Sequence, residues 1–129
     1  MAILGLAFKP NTDDIREAAS IGIARELVAM GAVVKAYDPV AMNNAAKFFP
    51  SEVEYTRSID EAIQDADVTF ILTEWDEIKN YPLSKYVKLM EQANIFDGRN
   101  CYDLNEVKKF ELYYSSIGRL EVTNKKIMV

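Results

Sequence analysis

The stretch ILGLAFKPNTDDIREAASIGIARELVAMG (residues 3–31) reads as three pieces: an apolar run, a turn crowded with charge, and an amphipathic helix. Residues 2–8 show no alternation of polar and apolar positions, which fits a strand buried on both faces, as in a parallel sheet. Over residues 17–30 the spacing of Ile21, Ala24, Leu27, Val28 and Gly31 predicts a helix with one buried face. Arg25 and Glu26 fall off that face, and Gly31 suits the C-terminal cap. In the turn, Phe8, Lys9, Thr12, Asp13, Asp14 and Arg16 stand where two glycines and a serine would turn the chain more cheaply. A strand end furnished in this way is expected to be a binding edge.

The alternation continues outward from there. AVVKAYDP (residues 32–39) gives a second strand ending at Asp38 and Pro39, followed by a short helix over 40–47. VEYT (53–56) is a weak third strand, and Ser58 caps a helix through 65 with Glu61 at the capping-box position. DVTFILTEW (67–75), rich in β-branched and aromatic residues, is the clearest strand. A helix over 83–92 leads to NIFDGRN (94–100) as a fifth strand with its loop, and FELYYSSIGR (110–119), with Tyr113 and Tyr114, holds a sixth. EVTNKKIMV (121–129) carries little pattern and is expected to be a loosely held tail. Strands alternating with helices imply right-handed crossovers. The fold class is therefore α/β: a Rossmann-like, doubly wound, mainly parallel sheet of about six strands with helices on both faces, in one domain over residues 1–129. Open sheets bind ligands outside the carboxyl ends of their strands. The charged turn after the first strand, Thr73, Glu74 and Trp75 after the fourth, and Asp97, Gly98 and Arg99 after the fifth are expected to share one rim.

A chain of 129 residues that is 50% hydrophobic can bury a core, which argues against disorder. With 20 acidic and 15 basic residues the net charge is −5, and no run of Lys or Arg exceeds a pair. Nucleic acid and anionic membranes are not expected partners. A small anion needs only one or two cationic groups. The one cysteine and the lack of histidine leave no internal disulfide and no thiol–imidazole metal site. No basic leader precedes the apolar opening, and no apolar run approaches the roughly 20 residues that span a bilayer. The expectation is a cytoplasmic protein with no metal.

Several residues have both a functional and a plain reading. The first strand ends in GLAFKP, without the glycine-rich turn that cradles a pyrophosphate. Asp38 stands where such folds place a ribose-binding acid, or it fixes a turn before Pro39. Lys9 can meet a phosphate or a sugar hydroxyl with Phe8 against a ligand ring, or they are a solvated Lys and a core Phe. NTDDIRE can be a capping segment in which Thr12 or Asp13 satisfies orphan amides, yet Arg16 opposes the helix dipole and calls for an acidic or phosphate partner. Arg99 in the DGR turn presents a rigid fork of donors, with Asp97 placed to orient or pair with it, or it is a surface Arg. Trp75 reads as core packing, and Cys101, with no activating base, reads as structural. No catalytic set emerges from the residues.

GLAFKPNTDDIRE, with AYDP, TEW and DGRN in that order, resembles the C-terminal UDP-binding domain of the UDP-glucose 6-dehydrogenase family, within the UDP-glucose/GDP-mannose dehydrogenase superfamily; the likeness covers residues 2–119. The resemblance implies a larger enzyme with an N-terminal NAD-binding domain and a central helical region for dimerisation. In it, UDP-glucose is oxidised to UDP-glucuronate, a precursor for polysaccharide biosynthesis, by two NAD through a thioester on a Cys outside this chain. It implies that Phe8, Lys9 and Arg99 contact the UDP-sugar and that Arg16 reaches the NAD held mainly by the other domain. The chain alone is then expected to be monomeric and inactive as a dehydrogenase, with weak UDP binding. REAAS departs locally from the family, where many members carry Pro before the Ser. Dehydrogenases of UDP-N-acetylmannosamine or GDP-mannose are the nearest alternatives. Further off stand a nucleotide-binding domain and a receiver-like signalling module using Asp13 and Asp14, although EYTRS after the third strand offers that module no phosphoacceptor Asp.

Overall fold

The computed structural model describes residues 1–15 and 18–124. In chain order the elements are β1 (Ala2–Leu4), α1 (Ala19–Ala29), β2 (Lys35–Tyr37), α2 (Met42–Ala45), β3 (Glu54–Tyr55), α3 (Ile59–Ile63), β4 (Thr69–Ile71), α4 (Asp76–Lys79), α5 (Leu83–Leu89), β5 (Asn94–Asp97), α6 (Leu104–Val107), β6 (Tyr113–Ser116) and β7 (Val122–Thr123). The strands form one sheet in the order β3-β2-β1-β4-β5-β6-β7, parallel throughout except for the β6–β7 pair. The first six follow the order of the dinucleotide-binding fold, which reverses direction between β1 and β4. A receiver domain has a different order, so that alternative falls with the topology.

β1 sits at that reversal with Ala2, Ile3 and Leu4 all fully buried, and Leu4 lies between Tyr37 of β2 and Ile71 of β4. Burying side chains the size of Ile3 and Leu4 contributes about 1.5–3 kcal/mol each. α3 packs over β1 and β2, and α5 packs beside α3. α1 buries Ser20, Ala24 and Leu27 and keeps Arg25 and Glu26 exposed. It closes on Gly31 (φ 86°), whose amide donates to Val28 O at 2.9 Å while the Ala32 amide donates to Leu27 O at 3.0 Å. These paired bonds satisfy carbonyls that the helix end would otherwise orphan. Ser58 Oγ accepts from the Glu61 amide at 3.1 Å and caps α3 as its sequence predicts.

The sequence reading needs correction in five places. β1 ends at Leu4 and not at residue 8, because Gly5 takes φ 90° and leaves the strand. α1 starts at Ala19 behind an Ala18 N-cap that has no side-chain bond, so Thr12 and Asp13 do not cap it. Thr12 Oγ1 instead accepts from the Asp14 amide at 3.2 Å inside the loop. α4 and α6 were not expected, since each has only four residues and too few positions to show a helical period. The tail is not loose at its start: β7 pairs Val122 with Tyr114 and Thr123 with Tyr113, and gives the sheet a seventh strand. Asn124 secures that turn by donating through Nδ2 to Lys108 O and Phe110 O, both at 2.8 Å. Residues 125–129 of the expected tail lie outside the described residues. Among the described residues no helix is long and apolar enough to cross a membrane.

Candidate functional site

Beyond β1 the backbone passes so close to β4 that a Cβ on Gly5 would lie 2.6 Å from both Thr73 Cβ and Thr73 N. Only glycine fits there, on grounds of space and of backbone angle. Thr73, fully buried, donates from Oγ1 to Ala7 O at 2.6 Å, and Ser20 of α1 donates from Oγ to Leu6 O at 2.9 Å. The Leu6 and Ala7 amides donate to Asp38 Oδ2 at 2.8 and 3.1 Å, and the Trp75 indole donates to the same oxygen at 3.0 Å. The Val40 and Ala41 amides donate to Oδ1. Asp38 therefore does fix the turn before the α2 segment, and it also ties the β1 and β4 ends together. Trp75 is buried, as core packing requires.

Held this way, the turn presents Phe8 and Lys9 to solvent. Phe8 is 42% exposed, so it is not a core Phe, and its amide closes the following loop by donating to Asp14 O at 2.7 Å. Lys9 is exposed beside it.

The third segment arrives from β5. The Gly98 amide donates to Ile71 O at 2.8 Å, and a Cβ there would stand 3.3 Å from the same oxygen, so the DGR turn lies close against β4. Arg99 then reaches over the switch point: Nε donates to Leu72 O and Nη2 to Phe8 O, each at 3.0 Å, with Glu74 Oε2 3.4 Å from Nε. The ends of β1, β4 and β5 do share one rim, where Arg99 bonds the carbonyl of Phe8, the residue that precedes Lys9. Asp97 does not pair with the guanidinium. Its buried carboxylate accepts from the Arg99 amide at 2.9 Å, the Cys101 amide at 2.7 Å and the Tyr114 hydroxyl, so it shapes the turn from below. Burial, and then the hydrogen bond to Asp97, pushes the Tyr114 hydroxyl far above its usual range. Arg119 closes this layer by donating to Tyr114 Oη at 3.0 Å and to Tyr102 O at 2.8 Å.

Burial, reinforced by the Asp97 and Glu74 carboxylates, pushes the Cys101 thiol up to about 12, which fits a structural residue and not a nucleophile. Asp13 and Asp14 line a hollow of about 430 Å³ with Ile15, Asn44, Lys47 and Phe48. Among the described residues no group of three or more His, Cys, Asp or Glu is placed to hold a metal. Arg16 lies outside the described residues. Thr73 as a latch and Glu74 as the partner of Arg99 carry no signal in the sequence beyond their place after a strong strand.

Residues 2–104 match the UDP-glucose/GDP-mannose dehydrogenase family, UDP binding domain. The chain belongs to this family. It is 51% identical over 122 residues to the UDP-glucose 6-dehydrogenase YwqF of Bacillus subtilis, a match covering 95% of this chain and 28% of that protein. The UDP-glucose 6-dehydrogenase TuaD of the same organism is 44% identical over 92% of this chain and 26% of its own length. Among solved structures, the NDP-N-acetyl-D-galactosaminuronic acid dehydrogenase of Methanosarcina mazei superposes with a TM-score of 0.77 at 28% identity, covering 91% of this chain and 24% of that one. This family member thus spans little more than a quarter of the length of the curated relatives it matches.

Proposed function

We propose that this chain is the UDP-sugar-binding C-terminal domain of a UDP-glucose 6-dehydrogenase, with Phe8, Lys9 and Arg99 contacting the nucleotide sugar. The observation that carries the reading is the Arg99 clamp. Its Nε and one Nη2 hydrogen are spent on Leu72 O and Phe8 O, which fixes the guanidinium against the turn that carries the exposed Lys9. A guanidinium fixed at this rim, with the exposed Lys9 next to the Phe8 carbonyl it holds, suits a diphosphate, and the exposed Phe8 ring suits the apolar face of a base or sugar.

The whole enzyme would oxidise UDP-glucose to UDP-glucuronate with two NAD, in the cytoplasm and as a homodimer. The residues at the end of β1 do not fit a dinucleotide, because the Leu6 and Ala7 amides are already taken by Asp38. NAD is therefore assigned to the N-terminal domain, with Arg16 reaching it from this one. The 51% identity to a UDP-glucose 6-dehydrogenase favours UDP-glucose over related nucleotide sugars.

Titration calorimetry of the purified chain tests this. UDP and UDP-glucose are expected to bind weakly and GDP more weakly still, since much of the cleft belongs to the rest of the enzyme. No NADH should form from UDP-glucose and NAD. Absence of saturable UDP binding, with intact folding, would count against the assignment.

A further inference from the structure

In the dinucleotide-binding fold the amides following the first strand receive a pyrophosphate above the N-terminus of the first helix. This chain begins that turn alike, with Gly5 at φ 90°, and then departs: Ala7 and Pro10 occupy the second and third glycine positions of G-x-G-x-x-G. α1 does not begin until Ala19, so the turn does not run straight into a helix, and the first turn of α1 meets it through Ser20 Oγ on Leu6 O. The acid at the end of the second strand, which in those folds faces a ribose hydroxyl, is present as Asp38 but is turned inward.

Five N–H groups converge on that carboxylate: Leu6, Ala7 and the Trp75 indole on Oδ2, Val40 and Ala41 on Oδ1, at 2.8–3.1 Å. A carboxylate offers about four lone-pair positions, so none remains for a ligand hydroxyl. Asp38 has no exposed surface, and among the described residues no Lys or Arg forms an ion pair with it. Converging N–H groups of this kind are what anion-binding nests and helix N-termini present to a phosphate.

We propose that the Asp38 carboxylate is a built-in substitute for a ligand phosphate: it fills the anion position at the end of β1, denies it to a dinucleotide, and fixes the turn that presents Phe8 and Lys9. Asp38 is thus a specificity-determining and positioning residue that touches no substrate. The fold keeps its anion-binding geometry and loads it from within. The free switch-point surface then moves outward to the Phe8–Lys9 turn and Arg99.

The test removes the carboxylate and supplies it from solution. The thermal midpoint of Asp38→Ala is measured in sodium formate and in sodium chloride at matched ionic strength, beside the wild-type chain. A lowered midpoint in chloride is expected, with a saturable recovery in formate of at least about 4 °C over chloride, and no such difference for the wild type. Amide resonances of Leu6, Ala7, Val40 and Ala41 in the variant should move along the same formate titration. If the variant is unfolded in chloride, it is refolded from urea in each salt; a cooperative melt in formate alone supports the proposal, and failure in both overturns it. Equal midpoints in the two salts, or saturable NAD binding by the wild type that shifts the Leu6 and Ala7 amides, also overturn it. None of these readouts uses UDP, so a failure of UDP binding would sink the assigned function without touching this inference.

Discussion

The Arg99 guanidinium donates from Nη2 to the carbonyl of Phe8, 3.0 Å away and 91 positions earlier in the chain. That bond links the β5 turn to the β1 turn, and the companion bond to Leu72 O adds the end of β4. Arg99→Ala is expected to weaken UDP binding roughly tenfold or more through loss of a charge-assisted contact, while costing only about 1 kcal/mol of stability, because the site is partly exposed. Arg99→Lys keeps the charge and loses the fork, so it should recover little of the affinity. Calorimetry and urea titration on the same samples separate the two effects; unchanged UDP affinity in Arg99→Ala would remove Arg99 from the site.

Gly5 and Gly22 form a contrasting pair. Gly5→Ala puts a methyl 2.6 Å from Thr73 backbone at φ 90°, and should lower stability by about 3 kcal/mol or abolish folding. Gly22 lies within α1 with nothing inside 4 Å of its would-be Cβ, so Gly22→Ala should stabilise by up to about 1 kcal/mol. Urea midpoints of both variants check the sign of each change.

Cys101 should be slow to alkylate. With its thiol pushed up to about 12, it holds far less thiolate at pH 8 than a free cysteine, and iodoacetamide should react roughly a thousandfold more slowly than with the unfolded chain. The rate should climb without a plateau through pH 10. A plateau near pH 9 would mean that burial and the neighbouring Asp97 and Glu74 carboxylates do not raise the thiol as their placement requires.

Asp60 supplies a pH dependence. The Tyr81 hydroxyl, 2.6 Å from Oδ1, and then the Lys85 ammonium hold its carboxyl below the usual aspartate range. A carboxyl depressed on folding adds stability above its unfolded value and loses it as pH falls through the folded one. The wild type should therefore lose more stability than Asp60→Asn below about pH 4. Parallel stability–pH curves for the two proteins would be the contrary result.

Much of this fold can be read along the chain because its signals are local. The unbroken apolar run at residues 2–4 and the β-branched and aromatic residues at 69–71, neither alternating with polar positions, mark buried strands, the Ser58/Glu61 pair marks a helix start, and Gly31 marks a helix end. Their alternation fixes a doubly wound parallel sheet and, with it, the rim on which Phe8, Lys9 and Arg99 stand. β7 was missed because Val122 and Thr123 have too few residues to show a period; the open edge of β6 makes them a strand. Asp97 as a support for its own turn, and not as the partner of the Arg99 side chain, likewise depends on Tyr114 arriving from another strand.

By itself, then, the sequence determined the layering, the alternation of the main strands and helices, and which polar segments end up at the carboxyl rim of the sheet, since hydrophobic period and turn chemistry act over a few residues. Only the tertiary structure decided how those segments are spent: that Asp38 faces inward onto five N–H donors, and that Arg99 bridges to Phe8 O. Hydrogen bonds between residues 31 to 91 positions apart are set by where the sheet brings chain ends together, and no local pattern encodes that.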